Sequence, residues 1–554
     1  MSEAPRRGLV LSHGTEPRLS HPEILEAPMT TPRTTYVTTT IPYVNSRPHL
    51  GFALELVQAD VLARHRRHRG DKVRFLTGTD DNSLKNVLAA EAEGVPVQDL
   101  VDRNADAFAA LRAPLALSFD DFIRTSRDPR HRVGVERLWR RCADSGDLYR
   151  RHYEGLYCVG CEQFYTPAEL VGGRCAEHGT EPRPVAEENW FFRLSRYAGH
   201  LHELISSGRL RVEPAVRRNE VLALIESGLH DFSVSRSGTR ARGWGIPVPD
   251  DPEQVVYVWW DALGNYVTSL GYGTDDPAYD QWWTGADRRS HLLGKGVVRF
   301  HAVYWPAMLL SAGLPLPTDI LVHDYLTVDG SKISKSSGTT VDPAELVAEF
   351  GTDAVRWWLL REVPRVGDAD FTRERLVARA NADLAGGLGN LVNRVVTMVH
   401  RFRDGRVPGR GTVAEGAVAD GAGGEGAGGE GAAAEGTERL VAVCRDVAGH
   451  VDDALADFDF RRATAAVWRV VQEADRCIDG TRPWELAKAE RAGDRAAGER
   501  LDGVLAALVG ACRTLADQLG PFLPESAAQV AAQCAATDGR LPTARPLFAR
   551  VGAE

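Results

Sequence analysis

The run Thr34-Thr-Tyr-Val-Thr-Thr-Thr40 is β-branched and strand-like, and it breaks at Pro42. From Phe52 to Arg69 the apolar residues Leu54, Val57, Val61 and Leu62 fall on one helical face, and Gly70 stops the helix. Lys72 to Thr77 reads as a second strand, so the segment predicts a β-α-β unit and an α/β fold. Open α/β sheets bind ligands outside the carboxyl ends of their strands, which makes Tyr43, His49 and Asp80 candidate site residues. The last third of the chain is helical by pattern. Residues 1 to 33 are rich in Pro, Ser and Arg without periodicity and predict a disordered extension that lacks the apolar stretch of a signal peptide. No window is apolar enough to predict a membrane span, so no membrane partner is expected.

At 554 residues and 43% hydrophobic content, the chain has material for the cores of several domains. Composition adds one sharp feature: the 66 basic residues include six lysines, at 72, 85, 295, 332, 335 and 488. Two of them lie three apart in Lys332-Ile333-Ser334-Lys335-Ser336, between Gly330 and Gly338. A compact ammonium on a slim stem suits a moving phosphate better than a planar guanidinium fork does. Alone, the loop reads equally well as a solvated turn. The net charge of −10 argues against a nonspecific nucleic-acid binder, while leaving room for a local basic face.

Of eight cysteines, Cys158, Cys161 and Cys175 join His178 as Cys-x2-Cys, thirteen intervening residues, Cys-x2-His. That is zinc-knuckle spacing, helped by Gly160, Gly172, Gly173 and Gly179, and incidental cysteines are the alternative. Four protein ligands leave no open position, so a structural Zn2+ is expected. Cys142, Cys444, Cys477, Cys512 and Cys534 show no pairing pattern, which suggests thiols in a reducing, cytoplasmic setting. Residues 416 to 435 form four Gly-Ala-x-x-Asp/Glu-like pentapeptides ending at Asp420, Glu425, Glu430 and Glu435, and predict a disordered insertion over about 411–437. A functional acidic arm is the other reading of it.

His49-Leu-Gly-Phe52 resembles the HIGH signature, and the lysine loop the KMSKS signature, of class I aminoacyl-tRNA synthetases. The order of the two motifs, nearly 300 residues apart with a zinc-type cluster between them, makes the likeness specific. Ile41-Pro-Tyr43-Val-Asn45, Thr77-Gly-Thr-Asp80, Tyr257-Val-Trp259-Trp-Asp-Ala262-Leu-Gly-Asn-Tyr266, Gly294-Lys295 and Phe300-His301-Ala-Val-Tyr-Trp305-Pro are similar to the methionyl-tRNA synthetases within that class. The resemblance runs from about residue 34 to 545.

It implies a Rossmann-type parallel-sheet catalytic domain with a zinc-knuckle insertion, followed by an α-helical anticodon-binding bundle. The expected layout is a first Rossmann half over 34–140, the insertion over 141–230, a second half over 231–320, a linking segment with the lysine loop over 321–370, and the bundle over 371–548. It also implies a methionine pocket lined by Ile41, Tyr43, Trp259, Ala262, Leu263, Tyr266, Val297, Phe300, His301 and Trp305, with Asp80 accepting the substrate ammonium. Read without the family, these aromatics are ordinary core packing. ATP would meet His49, Gly51, Gly294, Lys332, Ser334, Lys335 and Ser336, with Mg2+ accompanying the nucleotide. His49, Lys332 and Lys335 would stabilise charge as methionine is adenylated and then passed to tRNA(Met).

Arg401 and Trp484 match the family's anticodon-stacking pair, with Arg394, Arg403 and Arg482 as further candidates. A buried core tryptophan is the other reading of Trp484. Four positions depart from the pattern: Phe52 for the second histidine of the signature, Asn82, Gly296 and Thr397. Alternative functions are a degenerate paralogue that binds tRNA and an amino-acid ligase that works without it. A monomer is expected.

Overall fold

The computed structural model describes residues 32–158, 160, 163–165, 167–176, 179–328, 330–332, 341–409 and 430–552. Its centre is a six-stranded, wholly parallel sheet. Strand β1 (Thr34–Thr38), helix α1 (Leu50–His68) and strand β2 (Lys72–Thr79) form the β-α-β unit, and β3 (Asp121–Arg124) lies beyond β2. On the other side of β1 come Arg288–Gly294, Asp319–His323 and, at the edge, Arg211–Glu213. The chain therefore reverses its winding between β1 and Arg288–Gly294, and this switch point opens a crevice at the strands' carboxyl ends.

Alternate side chains of these strands supply two cores. Val37, Phe75, Leu292 and Leu321 face one, while Tyr36, Leu76, Leu293 and Ile320 face the other. The first core passes without a break from the sheet through α1 and the helix Thr352–Arg361 into the helical bundle. This continuity corrects the amphipathic reading of α1. Almost every residue from Leu50 to Ala63 is buried, including Glu55, Gln58 and Asp60, because the sheet covers one side of the helix and the bundle the other. Arg356 pins the junction. It is fully buried, pairs with Asp60 at 2.9 Å, and donates to the carbonyls of Leu115, Pro521 and Phe522 at 2.8–3.0 Å.

The segment between the sheet halves builds a four-stranded antiparallel sheet from Gln163–Tyr165, Leu148–Cys158, Arg183–Phe192 and Phe232–Ser233. Two boundaries differ from the sequence-based layout. Arg211–Glu213, inside the expected insertion, pairs in the main sheet, and Phe232–Ser233, beyond its expected end, pairs with the insertion sheet. Both are strands of two or three residues, too short to leave a period in the sequence.

A small sheet of Leu326–Val328, Ser331–Lys332 and Ala369–Phe371 carries the start of the lysine loop. The bundle comprises Asn390–Arg403, Glu430–Ala456, Phe460–Thr481, Pro483–Arg491, Arg495–Leu519 and Pro524–Cys534. Its second helix begins inside the Gly/Ala/Glu stretch expected to be disordered, where Ala432 to Glu435 are good helix formers. Residues 410–429 of that stretch, and the extension 1–31, lie outside the described residues. No helix among the described residues is long and apolar enough to cross a membrane.

Candidate active site

Pro42 ends the extended run after β1, and the chain turns across the sheet's carboxyl edge before His49 caps α1. A one-residue bridge joins Tyr43 to Asp80, and the Asp80 N–H donates to the Pro42 carbonyl at 2.9 Å, so the loops after β1 and β2 close on each other. Beneath them lies a cavity of about 250 Å³. Ile41, Tyr43, Asp80, Trp259, Ala262, Leu263, Tyr266, Val297 and His301 line it, together with Thr40 and Pro42, which the sequence reading did not single out.

Phe300 and Trp305, expected in the lining, stand behind it instead. Phe300 stacks on Trp259 with centroids 3.8 Å apart, and Trp305 packs against Tyr266 at 6.0 Å. The residues from Phe300 to Tyr304 make a π-helical turn, and this local widening aims His301 into the cavity while Phe300 backs Trp259. The buried indole N–H of Trp259 has no partner among the described residues.

The polar groups below the cavity fix one another's protonation. His301 Nδ1 is 2.9 Å from the Val297 carbonyl, which can only accept, so Nδ1 carries the proton and Nε2 accepts from the Tyr266 hydroxyl at 2.7 Å. Burial pushes the His301 pKa down to about 4 and raises that of Tyr266 well above its ordinary value, so both are neutral at pH 7. His291 repeats the arrangement one layer deeper. Its Nε2 accepts from the Trp305 indole at 3.2 Å, its Nδ1 meets the Thr38 hydroxyl at 2.6 Å, and burial lowers its pKa well below the usual range. Asp80, 2% exposed, thus places its carboxylate at a cavity whose other polar groups are uncharged.

His49 sits at the amino end of α1, where its Nδ1 accepts from the Gly51 N–H at 3.1 Å. Burial lowers its pKa, and a neutral ring that accepts at Nδ1 keeps its proton on Nε2, ready to donate. A Cβ at Gly51 would lie 3.0 Å from the imidazole, so a larger residue there would press on the ring. Gly294 ends its strand opposite His323, across the switch point from β1. Next to it Lys295 is held by Asp368 at 2.6 Å.

Glu55 is a positioning residue that sequence reasoning missed. It accepts from the N–H and hydroxyl of Thr40 at 2.6 Å each, and from His323 at 3.0 Å, joining the cavity rim to α1 and to the strand before the lysine loop. The apolar period of α1 carried no signal for it, because Glu55 is not one of the apolar positions, Leu54, Val57, Val61 and Leu62, that mark the helical face. Lys85, also missed, seats its ammonium 4.9 Å from the centre of the Tyr43 ring.

Lys332 lies in a strand paired with Thr327, while Ser334, Lys335 and Ser336 fall outside the described residues. So do Cys161 and His178. Cys158 and Cys175 are buried together with Tyr165 in a small separate core, and no metal-binding group of three or more side chains occurs among the described residues. Of the departures, Phe52 is 7% exposed and packs edge-on against Phe108 at 5.3 Å, and Asn82 donates to the buried Asp261 at 2.7 Å.

In the bundle Trp484 is 46% exposed, which sets aside its reading as a core tryptophan, and Arg401 is exposed as well. Arg403 is not available in the same way. It is clasped by Glu490 at 3.0 Å and Asp502 at 2.5 Å, bracing the two helices that carry Arg401 and Trp484. Arg394 is likewise paired, with Asp475 at 3.2 Å.

The chain matches the family model described as tRNA synthetases class I (M), over residues 35–177 and 161–396. It is 38% identical over 507 residues to a methionine–tRNA ligase of Caldanaerobacter subterraneus subsp. tengcongensis, covering 91% of this chain and 74% of that one. It is 39% identical over 522 residues to the methionine–tRNA ligase of Rhizobium meliloti, covering 93% and 94%. Among solved structures, Mycobacterium tuberculosis methionyl-tRNA synthetase bound by methionyl-adenylate superposes with a TM-score of 0.84 at 36% identity, covering 93% of this chain and all of that one. The chain belongs to the methionyl-tRNA synthetases, within class I of the aminoacyl-tRNA synthetases.

Proposed function

We propose that the protein activates L-methionine with ATP and passes the methionyl group to tRNA(Met), using the switch-point cavity as its amino-acid site. The observation that carries this reading is the cavity itself: about 250 Å³, walled by aromatic and aliphatic side chains, with one buried carboxylate and a neutral His301–Tyr266 floor. A thioether needs soft aromatic surroundings, and an ammonium in such a place needs Asp80 to compensate its charge.

The methionine carboxylate would attack the α-phosphate and expel pyrophosphate, and a ribose hydroxyl of the terminal adenosine of tRNA would then attack the acyl carbon of the methionyl-adenylate and expel AMP. Neither step needs a protein nucleophile. The chain supplies position and charge: His49 Nε2–H and the amino end of α1 for phosphate oxygens, and Lys332 and Lys335 for the transition state, with Mg2+ entering on ATP. Arg401 and Trp484 would meet anticodon bases. Methionine-dependent pyrophosphate exchange followed by tRNA charging tests the reading. Absence of exchange excludes the enzyme, and exchange without charging leaves a ligase that does not use tRNA.

Cys158, Cys161, Cys175 and His178 would hold a structural zinc ion. The Cys175 N–H donates to Thr180 at 2.9 Å, the Cys175 carbonyl accepts from Gly179 at 2.8 Å, and the Thr180 hydroxyl lies 3.6 Å from Cys158 Sγ. Two thiols are thus gathered at one turn whose own core is Cys158, Tyr165 and Cys175, with Leu170 alongside. So small a core gains its stability from a bound metal. Metal analysis should find one zinc per chain, lost together with protease resistance over about 155–180 in Cys161→Ser. A zinc-free, equally resistant parent protein would overturn this assignment.

A further inference from the structure

Asn82, one of the four departures from the family pattern, joins two walls of the switch-point cavity. Its backbone N–H donates to Asp80 Oδ1 at 3.3 Å, and its side-chain amide donates to Asp261 Oδ2 at 2.7 Å. A carboxylate only accepts, so the amide nitrogen must be the atom that faces Asp261. Asp261 lies in the first turn of the helix Val258–Thr268, between Trp259 on one side and Ala262 and Leu263 on the other. Those neighbours line the cavity from the helix, while Asp80 lines it from the loop after β2. Asn82 therefore ties the place of the charge to the place of the apolar wall.

Both ends of this link are braced from behind. Asp261 is 1% exposed, and its other oxygen accepts from Nε2 of the fully buried His131. His131 Nδ1 meets the Thr268 hydroxyl at 2.7 Å, so the imidazole clamps the first turn of the helix to its last residue. On the loop side, Asn86 donates to the carbonyls of Asp80 and Asp81 at 3.0 and 2.8 Å, and the Trp244 indole donates to the Asp81 carbonyl at 2.8 Å. Between these two braced bodies stands the half-buried Asn82 amide. Removing it takes a donor from a buried carboxylate oxygen, which costs more than the bond itself is worth.

We infer that Asn82 is a positioning residue of the amino-acid site: through Asp80 and Asp261 it sets the spacing between the carboxylate that meets an ammonium and the wall that meets a side chain. Altering the link changes how well one molecule is held by both ends at once, and leaves the groups at the cap of α1 where they are. The inference rests on the function proposed above and adds to it a residue outside the cavity lining.

The test measures binding of methionine and of 4-(methylthio)butanoate, the same molecule without its ammonium, by calorimetry and competition on the full chain, beside pyrophosphate exchange and urea unfolding. Asn82→Ala should weaken methionine binding by about tenfold, raise KM by the same factor and hold kcat within about threefold, whereas the deaminated analogue should bind parent and variant alike. Asn82→Asp keeps the shape but sets a carboxylate against Asp261. Relative to the parent, its methionine binding should be weak at about pH 8 and recover toward about pH 5.5, as one shared proton restores the hydrogen bond. The other charged or titratable groups around that pair are Asp80 and Asp81 on the loop, His131 behind Asp261, and Arg236 and Arg240, which share a cleft with Asn82. Combining Asn82→Asp with Asp261→Asn returns one donor and one acceptor to the link, and the oxygen kept at 261 still accepts from His131. The double variant should bind methionine within about threefold of the parent and lose the added pH dependence.

Equal losses for methionine and its deaminated analogue, a fall in kcat with KM unchanged, or a double variant no better than Asn82→Asp alone overturns the inference. A matching drop in the unfolding midpoint would then assign Asn82 to the fold. A parent protein that binds methionine without supporting exchange overturns the proposed function alone, and the binding comparison still decides the inference. A parent that binds no methionine overturns both.

Discussion

His301 and Tyr266 lie under the switch-point cavity with their hydrogen bonds committed to each other and to Val297, whereas Arg401 and Trp484 stand in solvent on helices that other residues hold in place. The difference decides how each region responds to change. Inside the cavity a polar group cannot be removed without leaving a buried partner unpaired, so recognition and stability are coupled. On the bundle, Arg403, Glu490 and Asp502 brace the helices, and Arg401 and Trp484 are left exposed.

Asp80→Asn gives the sharpest test of the cavity side. It keeps the shape and removes the one charge available to an ammonium, so adenylate formation measured by pyrophosphate exchange should fall by on the order of 10²–10³. Exchange within tenfold of the parent would mean that the ammonium is held elsewhere and that the cavity is not polarised as described.

Acid should separate the two regions next. His301 titrates at about 4 when folded, pushed down by burial, while an unfolded histidine titrates near 6.5. The unfolded chain therefore binds a proton that the native chain refuses, and stability present above pH 6.5 is lost as pH falls toward 4. The loss from His301 is about 3 kcal/mol across that window. His291, also lowered by burial, adds in the same direction. Urea unfolding at pH 7.5 and 4.5 should show the slope, and His301→Asn should flatten it. An unchanged slope would detach the cavity floor from stability.

Trp484→Ala examines the other side. A base stacked on an indole is worth about 1–3 kcal/mol, so tRNA charging should weaken by that amount through affinity, with exchange unaffected. The unfolding midpoint should also stay, because Trp484 is 46% exposed. Exchange falling in parallel would show that the bundle residue is structural and that the contrast with the cavity does not hold.

The strands around α1 and the helical character of the last third were legible from β-branching, breaks and periodicity. What surrounds an element was not. The one-sided pattern of Leu54, Val57, Val61 and Leu62 gave no hint that Glu55 and Asp60 are buried too, because two of the groups that meet them there, His323 and Arg356, come from hundreds of residues away. In the same way Arg403 looked like a free cation on a helix, and only folding brings Glu490 and Asp502 to it. At the cavity, the resemblance singled out residues that the structure gathers into one lining, yet Phe300 and Trp305 stand one layer behind. The π-helical turn that puts them there has no sequence period of its own.

The smallest expected effect concerns Phe52, which replaces the second histidine of the signature. A histidine able to help the nucleotide would have to face the crevice, but this position faces the core, 7% exposed and edge-on to Phe108. His49 meanwhile presents its Nε2–H from the cap of the same helix, held by Gly51. Phe52→His should therefore raise pyrophosphate exchange by less than tenfold, under about 1.4 kcal/mol of transition-state stabilisation. It should also destabilise the fold by about 1–3 kcal/mol, because a polar ring replaces an aromatic contact in the core that joins sheet and bundle. Exchange and urea unfolding on the same preparation read both effects. A large gain in exchange without loss of stability would place residue 52 on the nucleotide side of α1 and mark the parent protein as catalytically impaired.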